Sequence, residues 1–81
     1  MPRLRRLGGR DIVAILKRRG FKVVGTRGSH VKLRRTVGAL PPQTLTIPLH
    51  NELATGTLLA IYRQCCRYIA EEDLRSDFYA G

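Results

Sequence analysis

Residues Phe21–Thr36 read "FKVVGTRGSHVKLRRT", and the fold turns on this stretch. Two runs rich in β-forming residues flank a Gly-Ser pair, the pattern of two strands joined by a tight two-residue connection. Phe21–Arg27 is the first predicted strand, Gly28-Ser29 the turn, and His30–Thr36 the second strand. Side chains alternate across a strand with a period of two. His30, Lys32 and Arg34 therefore share one face of the second strand, and Val31 and Leu33 share the other. The apolar pair has to face a core, which leaves the histidine on an outer, basic face.

The same alternation returns in "TLTIPLH", Thr44–His50, where Leu45, Ile47 and Leu49 oppose Thr44, Thr46 and His50. Pro48 has no backbone donor, so this third strand is expected at an edge or leaving the sheet there. The intervening "VGALPPQ", Val37–Gln43, is a loop by its Gly and Pro content. Upstream, "RDIVAILKRRG" has helical spacing, with Ile12, Val13, Ile15 and Leu16 on one side and Arg10, Lys17 and Arg18 largely on the other. Asp11 suits the positive end of the helix dipole, Lys17–Arg19 suit the negative end, and Gly20 is a natural stop. Downstream, Thr57 is the expected N-cap of "LLAIYRQCCRYI", whose Leu58, Ile61, Tyr62, Cys65 and Ile69 form an apolar stripe. "EEDLRSDFY", Glu71–Tyr79, predicts one or two further helical turns.

The order helix, three strands, helix predicts an α+β domain over residues 1–81. Both helices pack on one face of a three-stranded antiparallel sheet, and the other face is open to solvent. Phe21, Tyr62, Tyr68 and Phe78 are expected in the core. Residues 1–8 read as a basic N-terminal arm and residues 70–81 as an acidic C-terminal segment.

Fifteen Lys and Arg against six Asp and Glu give a net charge of +9 on 81 residues. Self-repulsion on that scale costs stability, and the usual compensation is an anionic partner: nucleic acid, membrane surface or acidic protein. No apolar run approaches the ~20 residues of a membrane span, and "MPRLRRLGGR" lacks the apolar segment of a signal peptide. Cys65 and Cys66 are adjacent, pointing ~100° apart on a helix, which suits neither a bridge nor a metal pair. They read as core residues in a reducing, cytoplasmic compartment. Two histidines without metal-ligand spacing imply no metal site, and nothing implies a cofactor.

Four pieces in order, "ILKRRGF", "RGSHVKL", "TIPLH" and "GTLLAIYRQ", resemble the HicA, or YcfA-like, family of bacterial toxins. The resemblance runs from about Gly9 to about Phe78. It implies a fold like the double-stranded RNA-binding domain and a ribonuclease that cuts messenger RNA. It also implies a cognate HicB-like antitoxin that covers the active face. The family's catalytic histidine, in a G-S-H signature, falls on His30. Many relatives carry a helix-capping serine where Gly8 or Gly9 stands here.

RNA cleavage without a metal needs a proton acceptor at the 2′-hydroxyl, a proton donor at the leaving oxygen, and cations around the phosphate. Imidazole titrates near neutrality and suits the proton transfer. Lys32 and Arg34 share the His30 face and are expected to bind phosphate, with Arg27 and Arg35 flanking. Gly28 serves the turn first, and the exposed backbone N–H groups of the turn are expected, as a second role, to hold a phosphate. Ser29 is positioned to orient the imidazole or the RNA. His50 is a possible auxiliary group at the end of the third strand, or a cap for the following loop. The competing expectations are a non-catalytic RNA-binding module of the double-stranded type and a subunit that simply docks to an acidic protein.

Overall fold

The computed structural model describes residues 2–81. In chain order its elements are β1 (Arg3–Leu4), α1 (Gly9–Arg18), β2 (Lys22–Arg27), β3 (His30–Arg35), β4 (Gln43–Pro48), α2 (Thr55–Cys65), α3 (Glu71–Phe78) and β5 (Tyr79–Ala80). The main sheet is antiparallel in the order β2-β3-β4. Val31 and Leu33 of β3 and Leu45 and Ile47 of β4 are buried against Ile12, Ile15 and Leu16 of α1 and Leu58, Ile61, Tyr62 and Cys65 of α2. This is the predicted two-layer α+β arrangement, with the sheet's other face bare. Phe21, Tyr62 and Phe78 are buried, and Tyr68 packs against the same core. Among the described residues no polar or charged side chain is buried.

α1 starts where its backbone meets the segment that leaves β4. The Gly8 N–H donates to Asp11 Oδ2 at 2.8 Å, and the Gly9 N–H donates to the His50 carbonyl at 2.9 Å. Two of the helix's unpaired N-terminal donors are thereby satisfied. A Cβ on Gly9 would collide with the Pro48 carbonyl and Leu49 Cα, and one on Gly8 with the Asn51 carbonyl. A serine cap has no room here. Asp11 caps the helix from three residues further along, and glycine permits the close approach of the two backbones.

Three features differ from expectation. The N-terminal segment, apart from Met1, which lies outside the described residues, is not a free arm. Arg3 and Leu4 pair with Ala80 and Tyr79, the Arg5 N–H donates to the Phe78 carbonyl, and Leu7 is buried. The apolar Leu4 and Leu7, spaced by Arg5 and Arg6, decide this against the composition. α2 begins at Thr55 rather than after Thr57, with Ala54 as its N-cap and no side-chain cap. Its first turn is exposed, so water can take the free donors. It ends at Cys65, and the chain turns through Arg67–Ala70 before α3 opens on Glu71, Glu72 and Asp73 at its positive end. α3 is fastened to the end of α1 by Asp77, which accepts from Arg18 at 3.3 Å and from Arg19 at 3.2 Å.

The Gly9 contact predicts a contrast between two glycines. Gly9→Ala should lower unfolding stability by about 1–3 kcal/mol, the scale of overpacking a tight site. Gly56→Ala, where a Cβ meets open space on a helix, should be neutral or stabilising by up to ~1 kcal/mol. Urea unfolding midpoints would measure both.

Cys65 and Cys66 are free, the first buried. Burial, with Cys66 beside it, pushes the Cys65 thiol up to about 12 from 9.0. A thiol held protonated by folding contributes stability below pH 9.0, and this is lost as pH rises toward 12. The native protein should therefore resist thiol reagents at Cys65 at neutral pH and react at both cysteines once unfolded in urea, as mass spectrometry of labelled peptides would read.

Candidate functional site

The turn that presents His30 depends on one glycine. Gly28 has φ +58° and Ser29 has no positive φ, the pattern of a type II′ hairpin turn. Arg27 and His30 are cross-strand partners directly at its base. The Ser29 carbonyl accepts the Leu49 N–H at 2.6 Å, which ties the turn to the end of β4.

Register then assigns the outer face. His30 is opposite Arg27 on one side and Pro48 on the other, Lys32 is opposite Gly25 and Thr46, and Arg34 is opposite Lys22 and Thr44. Cross-strand partners share a face. The bare face is therefore three rungs: Arg27–His30–Pro48, Gly25–Lys32–Thr46 and Lys22–Arg34–Thr44. Cations occupy the β2 and β3 columns, uncharged residues fill β4, and no carboxylate lies on any of the three strands. A shallow groove of about 360 Å³ crosses the upper two rungs, lined by Val24, Gly25, Thr26, Arg27, His30, Lys32 and Thr46.

The third rung of this layout depends on an irregularity in β2. Val23 is opposite Leu33 but Gly25 is opposite Lys32, so Val24 is an extra residue, a β-bulge. The Gly28-Ser29 turn already fixes Arg27 opposite His30 and Gly25 opposite Lys32; without the bulge Val24 would face Leu33, Val23 would face Arg34 and Lys22 would fall on the core side. The bulge brings Lys22 beside Arg34, returns Val23 to the core side opposite Leu33 and leaves Val24 about half exposed, at 49%.

The cations of this face are exposed and free. Lys22, Arg27, Lys32 and Arg34 make no ion pair; among the described residues the ion pairs join Arg18 and Arg19 to Asp77. Arg34 reaches only the Thr44 hydroxyl, at 3.4 Å. At strand spacing such charges repel by about 1 kcal/mol or less per pair in water, a cost that a bound polyanion reverses in sign.

The structure brings together Arg27, Gly28, Ser29, His30, Lys32 and Arg34 at one end and along one face of the hairpin. His50 is exposed, lies two residues beyond β4 and is not among the groove's lining residues; its carbonyl holds the start of α1. Arg35 turns inward instead. It donates to the Gln43 side chain at 2.8 Å, the Arg19 carbonyl at 2.9 Å and the Tyr68 carbonyl at 2.7 Å, with its guanidinium 4.8 Å from the Phe21 ring centroid. Its odd position in β3 puts it on the core side of the sheet. Val24, Gly25 and Thr26 are the groove residues that the sequence reading did not single out, and Val24 and Thr26 are off the parity of Arg27. The available signal was a lone glycine inside a β-forming run, which often marks a bulge. No cluster of three or more His, Cys, Asp or Glu able to hold a metal ion occurs among the described residues.

A family model described as "HicA toxin of bacterial toxin-antitoxin" matches residues 9–65. The chain belongs to the HicA toxin family. The match takes in α1, the whole β2-β3-β4 sheet and α2, and so every residue of the cationic face. α3 and the β1–β5 pair of this HicA chain lie outside it. Searches of curated proteins and of solved structures gave no match. As a HicA toxin, the protein is one component of a toxin–antitoxin system.

The turn itself is testable. Nothing would touch a Cβ at Gly28, so substitution there carries only the cost of the left-handed backbone. Gly28→Ala should cost about 1–2 kcal/mol and Gly28→Asn distinctly less, because asparagine tolerates that conformation. The measurement is the thermal midpoint of each variant.

Proposed function

We propose that this toxin is a metal-independent endoribonuclease that cleaves messenger RNA at the His30 face. The observation that carries the proposal is the setting of His30: an exposed imidazole, one of its cross-strand neighbours Arg27, two residues from Lys32, on a face without carboxylates. Arg27, Lys32 and Arg34 supply the charge that draws a phosphodiester in, and the bare N–H groups around Gly28-Ser29 add donors at the same end.

The chemistry asks for little else. His30 takes the proton of the 2′-hydroxyl as that oxygen attacks the adjacent phosphorus. The bond from phosphorus to the 5′-oxygen breaks, leaving a 2′,3′-cyclic phosphate on one fragment. The departing oxygen takes its proton from solvent, to which the whole face is open. Arg27 and Lys32 stabilise the charge that builds on the phosphoryl oxygens, a type of stabilisation that is often the largest single contribution.

The partner that neutralises it is a HicB-like antitoxin, and charge complementarity favours a surface that sets acidic groups over the groove. The setting is the cytoplasm, where the messenger is; no helix among the described residues is long and apolar enough to cross a membrane. Binding as a passive double-stranded RNA module fits less well. Such modules use basic helix ends and loops, and two of the three cations at the end of α1, Arg18 and Arg19, are already bound to Asp77.

His30→Ala should fold as the parent does, retain RNA binding and lose at least ~10²-fold in cleavage rate, the usual scale for a positioned proton-transfer group. Inducible expression with bulk RNA resolved on a gel would show it, with cleavage by the parent unchanged in excess EDTA. Equal cleavage by parent and His30→Ala would reject the mechanism. Salt-sensitive binding without cleavage by either protein would mean a binding module instead.

A further inference from the structure

We infer that the gap over Gly25 is a seat for one nucleobase, and that it gives the cleavage face its sequence preference. The inference rests on the proposal that this face takes RNA.

Of the nine positions on the outer face, Gly25 alone has no side chain. A Cβ built there meets nothing within 4 Å, so the missing side chain leaves open space and not a packed contact. The gap lies beside Lys32 and between Arg27 and Lys22 along β2. Its rung is two residues from that of His30, about 7 Å at the rise of a strand, within reach of the nucleotide next to a phosphate held at His30.

What surrounds the gap suits a base and not a phosphate. Cations stand around it but its floor is uncharged: the exposed peptide planes at Gly25, with the bulged Val24 as an apolar wall. Sheet-based RNA binders usually stack bases on aromatic side chains. No aromatic ring other than His30 occurs on β2, β3 or β4, and the Phe and Tyr rings belong to the core or pack against it. An unsubstituted peptide plane is then the flat surface available for stacking. Phosphates held by Arg27, Lys32 and Arg34 would fix the strand, and the base at Gly25 would be the part of it that the protein can discriminate.

Gly25 does not have a positive φ and its Cβ direction is open, so larger residues there should fold, which the thermal midpoint of each variant would check. The test measures affinity of the His30→Ala protein for short single-stranded RNAs in which one nucleotide at a time is abasic. Removing one particular base should weaken binding roughly tenfold, within the range for a single stacked base. Adding Gly25→Val should weaken binding to intact RNA by a similar factor and abolish the response to the abasic position, with Gly25→Ala between the two. The salt dependence should be unchanged by Gly25→Val, whereas Lys32→Ala should reduce its slope by about one phosphate. With His30 restored, sequencing of cleaved ends should show the preference flattened by Gly25→Val.

An abasic scan without a sensitive position, or one that Gly25→Val leaves intact, overturns the base seat. So does a Gly25→Val protein that cuts the same sites at the same rate, while leaving the nuclease in place. A sensitive position that Gly25→Val removes, in a protein that cuts no RNA, upholds the seat and removes the nuclease.

Discussion

β3 is paired on both sides, and that constraint governs the molecule. Its side chains alternate, its two apolar residues are fully engaged in the core, and its polar ones are left with nowhere else to point. A slip of one residue would drive Lys32 under the helices and lift Val31 and Leu33 into water. An unpaired buried ammonium costs several kcal/mol, so the core enforces the register. β2 and β4 then take their orientation from β3. The His30 face is in this sense a by-product of packing on the opposite side of the same strand. The bulge at Val24 is the exception, because there the chain departs from strict pairing and changes what stands beside Arg34.

Charge is divided along the same plane. Two of the six acids bind away from the open face: Asp11 closes the start of α1, and Asp77 holds Arg18 and Arg19. Arg35 is a structural cation, joining β3, β4, the end of α1 and the turn after α2 through one guanidinium. The net +9 is therefore not spread evenly. Some of it is consumed in holding the fold, and the unpaired remainder includes the four cations of the open face. An interaction with a polyanion on that face is worth more than the total charge alone implies, because no carboxylate competes there.

Much of this was legible in the sequence because the decisive signals are local. Alternation in "HVKLRR" and "TLTI" places Val31, Leu33, Leu45 and Ile47 inward and His30, Lys32 and Arg34 outward, and the structure agrees. The spacing of Ile12, Ile15 and Leu16 gives the buried side of α1 in the same way. What was not legible depends on contacts between distant residues. Nothing near Arg3 announces Ala80 as its partner, and nothing near Gly9 announces that Pro48 will crowd it. Arg35 looked like one more surface cation, and only the positions of Phe21, Gln43 and Tyr68 reveal its role. The bulge is an intermediate case, since Gly25 hinted at it but could not say which residue would be expelled.

The pairing of Arg3 and Leu4 with Tyr79 and Ala80 has a consequence for how the protein comes into being. Of these strands β1 is made before the others and is among the last to find its partner. Until residues 71–80 have been synthesised, Arg3 and Leu4 lack their strand partner and the ends of α1 and α2 lack α3. The sheet with His30 can form earlier, since β2, β3 and β4 are close neighbours in the chain. Completion of the fold is thus deferred until Tyr79 and Ala80 have been made, while the cationic face is laid down well before them.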